Sequence, residues 1–222
     1  MNAKLEPVAE SGLQFFGKMT ASISHEIKNI LAIVNENAGL LEDLALMGDQ
    51  GAVVEPQRLK NISLIVAKQV GRTDAILKNM NRLAHSVDDQ IKTIDLNDLM
   101  ELLVSLSGRF ASLRGVALQL KDRRDPLTLR TAPFLFMNLL WLCLDFAMDA
   151  ASEEKTVELA PKKTESGVQI FFKGLGGLTG APLKPFPAEP EKGLCDLLGA
   201  ELEVRTDNRE IVVRVAEDID RE

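Results

Sequence analysis

Two long stretches of this sequence carry apolar residues at helical spacing, and the short connection between them restricts what they can form. From residue 13 to residue 47 the apolar positions are Met19, Ile23, Ile27, Ile30, Val34, Ala38, Leu41 and Leu44, separated by steps of four or three. That rhythm keeps one side of an α-helix apolar along its length. The run ends at "MGDQGAVVEP" (47–56), whose Pro56 suits the first turn of a new helix, where no backbone N–H is needed. The pattern then resumes at Leu59, Ile62, Val66, Val70, Thr73, Leu77, Met80, Leu83, Val87 and Ile91. Two such helices joined by so short a loop must lie antiparallel. Each offers one apolar stripe, and a lone hairpin cannot enclose a core. A second copy supplies the missing faces, so the expected arrangement over 13–91 is half of a homodimeric four-helix bundle.

Beyond residue 93 the pattern changes. "TIDLNDLMELLVSLSGRFASLRG" (93–115) opens on Asp95, a residue whose carboxylate can accept from a free N–H of the first turn, and closes on Gly115, so it reads as a helix. "VALQLK" (116–121) alternates as a strand does, and "PLTLR" (126–130) is a second short strand. An apolar helix is expected over 132–151, and further strands at 156–161, 167–174, 200–206 and 210–216. "LGGLTGAPLKPFPAEPEKG" (175–193) reads as a loop, followed by one or two helical turns in "LCDLLG". The clusters "KDRRD" and "EEK" read as solvated turns. The predicted fold class is therefore α+β: the helical hairpin, then an α/β sandwich over 93–218 with helices on one face of a sheet.

The formal net charge of −7 argues against a nucleic-acid partner, since such binders display a basic face. Cys143 and Cys195 are isolated in apolar surroundings with no metal-ligand spacing, as expected of buried thiols in a reducing compartment. The opening "MNAKLEPVAESG" lacks the pattern of a signal peptide. The longest apolar run, 134–148, is shorter than the roughly 18 residues of a membrane span and contains Asp145. A soluble, cytoplasmic protein with no membrane or nucleic-acid partner and no membrane sensor of its own is expected.

The segment "SISHEIKNILAIVNENAGLL" (22–41) holds the candidate chemistry. His25 lies two positions from both Ile23 and Ile27, about 200° around the helix from the seam, and so faces outward. Asn29 is one turn further along the same face, and Glu26 is adjacent in sequence. An imidazole oriented by a carboxylate keeps a free lone pair for attack on phosphorus. Most exposed histidines are only solvated, and surface position alone assigns nothing. Further down the outward face lie Ala32, Ile33, Glu36 and Leu40, whose apolar members suggest a docking surface for a partner. His85 stands near Asp88 and Asp89 with no convergent third ligand, so no metal site is expected there. Trp141, Phe134 and Phe136 are expected to fill the core against the sheet.

"SISHEIKN" followed by an apolar helix resembles the H-box of sensor histidine kinases, in which a Ser-His-Glu run carries the phospho-accepting histidine. Residues 15–91 resemble that family's dimerisation and phosphotransfer hairpin. "IDLNDLMELLVSLSGRFASLRGVALQL" is similar to the opening helix and strand of its ATP-binding domain. The resemblance implies that His25 accepts the phosphoryl group, that Glu26 polarises it, and that Asn29 orients a water in members with phosphatase activity. Ile30 stands where many kinases have proline.

The resemblance fails where nucleotide should bind. The helix matching the family's N-x-x-x-N-A pattern is "NLLWLCLDFAMDAA" (138–151), and its "A-x-D-A-A" tail sets Leu142 and Phe146 at the two asparagine positions. Neither side chain ligates magnesium, which needs oxygen donors. Asn138 and Asp145 are out of register, although Asp145 and Asp149 form a carboxylate pair one turn apart. In "FFKGLGGLTG" (171–180) Lys173 or a glycine stands where an aspartate should read adenine. The glycine-rich cap of the phosphates is reduced to "KGLCDLLGAELEV" (192–204). No nucleotide or other cofactor is expected, and ATP-dependent kinase activity is not. The chain is similar to kinase-derived dimeric histidine phosphotransferases of phosphorelays, which pass a phosphoryl group between the aspartates of response-regulator receiver domains, with magnesium on the receiver. A phosphatase of a phosphorylated response regulator, or a non-catalytic adaptor that binds a receiver, are the alternatives.

Overall fold

The computed structural model describes residues 5–121, 126–179 and 184–219. Residues 122–125 of the "KDRRD" turn and 180–183 of the glycine- and proline-rich loop lie outside them. The chain divides into two compact units: one is Thr20–Asn81, and the other joins the residues up to Met19 to those from Arg82 onward.

The first of these is a helical hairpin, formed by most of α1 (Leu5–Asp49) and α2 (Pro56–Ala84). Of its buried positions on α1, Ile23, Ile30, Asn37 and Leu44 recur every seven residues, with Ser22 buried beside Ile23, and Ile62 and Gln69 stand at the same interval on α2. In the single chain this buried set departs from the expected seam at two places. Asn37 is buried instead of Ala38, and Gln69 instead of Val70, which is 60% exposed. Leu41, Leu59 and Leu77 are exposed as well. A seven-residue interval selects positions by geometry rather than by polarity, so two amides fall on the inner face. Both are satisfied locally: Asn37 Nδ2 donates to the Ile33 carbonyl (2.8 Å), and Gln69 Oε1 accepts from Arg72 Nη1 (3.3 Å). The displaced apolar side chains, with Leu31 and Leu64, remain on the outside of the single chain.

The other unit is α+β. Strand β1 (Lys92–Asp95) pairs antiparallel with β3 (Thr128–Thr131). The main sheet has the order β2-β4-β5-β7-β6, built from Ala117–Leu120, Thr156–Lys163, Gly167–Lys173, Glu210–Ala216 and Ala200–Arg205 respectively. Only β2 and β4 run parallel, Ala117 opposite Thr156; the crossover between them holds α4 (Pro133–Asp149). One face of the sheet presents Val157, Leu159, Ile170, Phe172, Ile211 and Val213, all fully buried. The other presents polar residues such as Glu158, Gln169, Glu201 and Arg214. Period-two alternation thus sets the core on one side of the sheet, where α3 (Leu96–Leu113), α4 and α5 (Glu189–Leu198) lie.

The cap expected on α3 is present, with Asp95 Oδ1 accepting from the Asn97 N–H at 2.8 Å. Helix α5 is longer than the one or two turns expected. Pro190 sits in its first turn, the Ala188 N–H donates to Glu191 Oε2 (2.9 Å), and Gly199 ends it at φ 58°. Helix α1 begins at Leu5, not at residue 13, and is 45 residues long. Its first turns belong to the α+β unit. Phe15 packs on Phe134 and Trp141 (ring centroids 5.7 and 6.3 Å), Phe110 closes on the other side of Trp141 (4.9 Å), and Ser11 exchanges hydrogen bonds with the buried Asn138. A Cβ at Gly12 would lie 3.2 Å from the Phe134 ring, so the two elements approach closely there. No helix among the described residues is long and apolar enough to cross a membrane.

Candidate functional site

In the hairpin unit, Ile23 and Ile30 are only 5% and 1% exposed, and this turns the opposite side of α1 outward. His25 and Asn29 are both exposed there, one turn apart. No side chain among the described residues hydrogen-bonds the His25 imidazole, so both ring nitrogens are open to a reacting group. Glu26 is half-buried at the side of this face, and its carboxylate is directed to α2, where Oε1 lies 3.6 Å from Arg72 Nη2. Ala32, Glu36 and Leu40 continue the exposed stripe, and Ile33 is half-buried along it. An accessible imidazole, a carboxylate, an amide and a guanidinium therefore share a small region of two helices. This set can accept a phosphoryl group on nitrogen and hold a polar group beside it.

The other histidine is held differently. His85, in a 3-10 turn (His85–Val87), places Nδ1 2.7 Å from Asp88 Oδ2, with its side chain 76% exposed. Asp89 is paired with Lys92 (3.3 Å). No cluster of three or more metal-ligating side chains occurs among the described residues.

In the α+β unit, α4 carries Leu142 and Phe146 at the two positions where the sequence comparison placed asparagines. Phe146 is 3% exposed and stacks on Phe186, with ring centroids 4.2 Å apart and planes 16° from parallel. The carboxylate pair is occupied as well. Arg114 Nη2 donates to Asp145 Oδ1 (2.7 Å) and its Nε to Asp149 Oδ1 (2.8 Å), while Lys184 Nζ lies 3.2 Å from Asp145 Oδ2 and 3.9 Å from Asp149 Oδ2. Two acids are thus matched by two cations. The oxygens that a hard cation would need already serve guanidinium and ammonium groups, so the pair does not fit a magnesium ion.

The glycine run after β5 is also committed. Leu175 N–H donates to the Arg209 carbonyl (3.0 Å) and Gly177 N–H to the Ala150 carbonyl (2.9 Å). Gly174 has φ 87°, and a side chain there would strike the Thr156 carbonyl at 2.4 Å, so glycine is required for close backbone packing. A phosphate cradle needs such N–H groups free. Lys173, where an adenine-reading acid was sought, sits 5.3 Å above the Phe171 ring. Cys143 is fully buried and its thiol is held well above the usual range by burial; burial likewise pushes Cys195 up to about 11. Burial thus disfavours the reactive thiolate form of both at neutral pH.

Arg72, Arg114, Lys184 and Phe186 were not found from sequence. Arg114 meets its acids across 31 and 35 residues and Lys184 meets Asp145 across 39, separations at which spacing carries no signal.

No protein-family model and no curated protein matches the sequence. Among solved structures, the chain is similar to a histidine kinase from Burkholderia phymatum STM815 at 14% identity, covering 98% of this chain and 99% of that one, with a TM-score of 0.46. It is similar to the Acinetobacter baumannii histidine kinase AdeS at 11% identity, covering 87% of this chain and 98% of that one, TM-score 0.45. It is also similar to histidine kinase ThkA in its complex with the response regulator TrrA, at 16% identity over 95% of this chain and 64% of that one, TM-score 0.46.

Proposed function

We propose that the chain is a histidine phosphotransferase that relays a phosphoryl group between aspartate-bearing receiver domains of response regulators through phospho-His25. The observation that carries this reading is the free, outward imidazole of His25 on α1, beside Glu26 and Asn29. In the transfer, a ring nitrogen of His25 attacks phosphorus of a receiver's aspartyl phosphate. The acyl O–P bond breaks, the aspartate leaves as a carboxylate, and the N–P bond forms; the reverse displacement on a second receiver completes the relay. Magnesium, held by the receiver and not by this chain, would supply charge stabilisation there. The ion-paired Asp145 and Asp149 and the stacked Phe146 favour a partner protein over ATP as the phosphoryl donor.

Docking is assigned to the stripe of Ala32, Ile33, Glu36 and Leu40. Homodimerisation through the hairpin covers the apolar side chains that one chain leaves outside, Leu31, Leu64 and Val70 among them. The position of Asn29, one turn from His25 and equally exposed, favours hydrolysis of a receiver's aspartyl phosphate as a second reading, with Asn29 and Glu26 positioning water. One experiment separates these. The protein is incubated with a receiver domain phosphorylated by acetyl phosphate, and acid-labile, base-stable phosphate is followed. Label on His25 supports transfer, inorganic phosphate without label supports hydrolysis, and neither leaves a non-catalytic adaptor.

A further inference from the structure

Arg72 is placed with more care than an ordinary surface cation. One end of its guanidinium, Nη2, reaches Glu26 Oε1 at 3.6 Å; the other, Nη1, donates to Gln69 Oε1 at 3.3 Å. Gln69 is 6% exposed, on the inner face of α2. A buried amide thus holds one end of the guanidinium while the other lies beside the residue next to His25. The Glu26 contact is the weaker of the two restraints, because it is long and the side chains are 49% and 41% exposed. Exposed ion pairs of that kind contribute little. A guanidinium–phosphate contact is shorter, can be bidentate, and is roughly twice as strong as a neutral hydrogen bond. Lys28 and Lys68 are the other cations within a turn of this group, and neither is ion-paired among the described residues.

We propose that Arg72 is the positioning residue for the phosphoryl group on His25, releasing Glu26 when that group arrives; this rests on the phosphotransfer reading above. A phosphoryl group on His25 adds a dianion one residue from the Glu26 carboxylate, and the two repel. Arg72 relieves that repulsion by turning its Nη2 end from the carboxylate to a phosphoryl oxygen, with Gln69 as the pivot. Glu26 is then free to accept a hydrogen bond from the protonated ring. Arg72 thus acts as a two-position contact, on Glu26 before transfer and on phosphate after it.

The test uses the full chain and phosphoramidate, a small donor that needs no partner protein. The imidazole nitrogen displaces ammonia from phosphorus: the P–N bond of the donor breaks, the His25 N–P bond forms, and the other ring nitrogen keeps its proton. The labelling rate of His25 and the pH titration of the phosphohistidine 31P resonance are measured for the wild type, Arg72→Gln and Arg72→Lys. Arg72→Gln is expected to label about tenfold more slowly, the size of one lost charge-assisted hydrogen bond, and to raise the pH at which the phosphoryl group titrates. Arg72→Lys, which keeps the charge and loses the fork, falls between the two. The titration is the reading that a purely structural role would not move. Wild-type rate and titration in Arg72→Gln, or no difference between the glutamine and lysine variants, overturn the proposal while leaving phosphotransfer intact. Absence of phosphohistidine at His25 in the wild type overturns both.

Discussion

Replacing Arg114 with leucine removes the cation that bridges Asp145 and Asp149, and the geometry sets the size of the loss. Two charge-assisted bonds of 2.7 and 2.8 Å disappear together. The side chains are 11% exposed at Asp145, 39% at Asp149 and 30% at Arg114, so the site is partly rather than fully desolvated. Stranding one member of a fully buried pair costs about 3–5 kcal/mol. Here Lys184 stays 3.2 Å from Asp145, and water reaches Asp149. The expected loss is accordingly about 2–3 kcal/mol, or a fall of about 4–12 °C in melting temperature for a chain of this size. The sole tryptophan, Trp141, lies on the same helix between Phe15 and Phe110, and its fluorescence reports the transition during urea unfolding. Adding Asp145→Asn to Arg114→Leu removes the stranded charge and is expected to recover part of the loss. A loss below about 0.5 kcal/mol in the single variant, or no recovery in the double, refutes the argument that these two acids are held as ion-pair partners.

Ile33→Glu is expected to slow phosphoryl transfer from a phosphorylated receiver domain by about tenfold, while far-UV circular dichroism stays that of the wild type; an unchanged rate removes the docking stripe. Leu64→Glu combined with Val70→Asp places charges on the uncovered side of α2, and sedimentation is expected to shift from dimer to monomer. Cys195 and Cys143 are expected to resist a thiol reagent at pH 8 in the folded chain and to react on unfolding. Because burial raises the folded thiols above the usual value of 9.0, the unfolded chain loses these protons first. Stability is therefore present below pH 9 and falls as pH rises toward about 11, the value for Cys195. Urea midpoints measured from pH 8 to 11 check the sign.

Much of the fold was legible because it rests on periodicity. Steps of three and four define α1 and α2, and alternation defines β4, β5 and β7 along with the buried face of the sheet. The outward position of His25 followed from the same arithmetic, needing only that Ile23 face inward. What sequence missed has physical causes. Polarity selects Ala38 and Val70 for the seam, whereas the single chain buries the neighbouring amides Asn37 and Gln69. Strand β1 has four residues, "KTID", too few to show alternation, and exists because β3 lies beside it. In α5 the proline and glycine signals of a loop were outweighed by the burial of Leu194 and Leu198. Ion pairs of Arg72 and Arg114 join side chains that approach one another only after folding.

The continuity of α1 bears on how this chain can be taken apart. Helix α1 (Leu5–Asp49) contributes residues to both units, those up to Met19 to the α+β unit and those from Thr20 to the hairpin. A fragment starting at Arg82 would leave out Phe15 and Met19, which are 1% and 0% exposed, and open the face of Trp141 and Phe134 to water. A fragment confined to Thr20–Asn81 would begin inside a helix, with its first N–H groups uncapped. Shuffling the hairpin between proteins would thus have to carry the first fifteen residues of α1 with the sheet, as a separate grafted piece. A change made in the first turns of α1 is therefore a change to the core of the α+β unit.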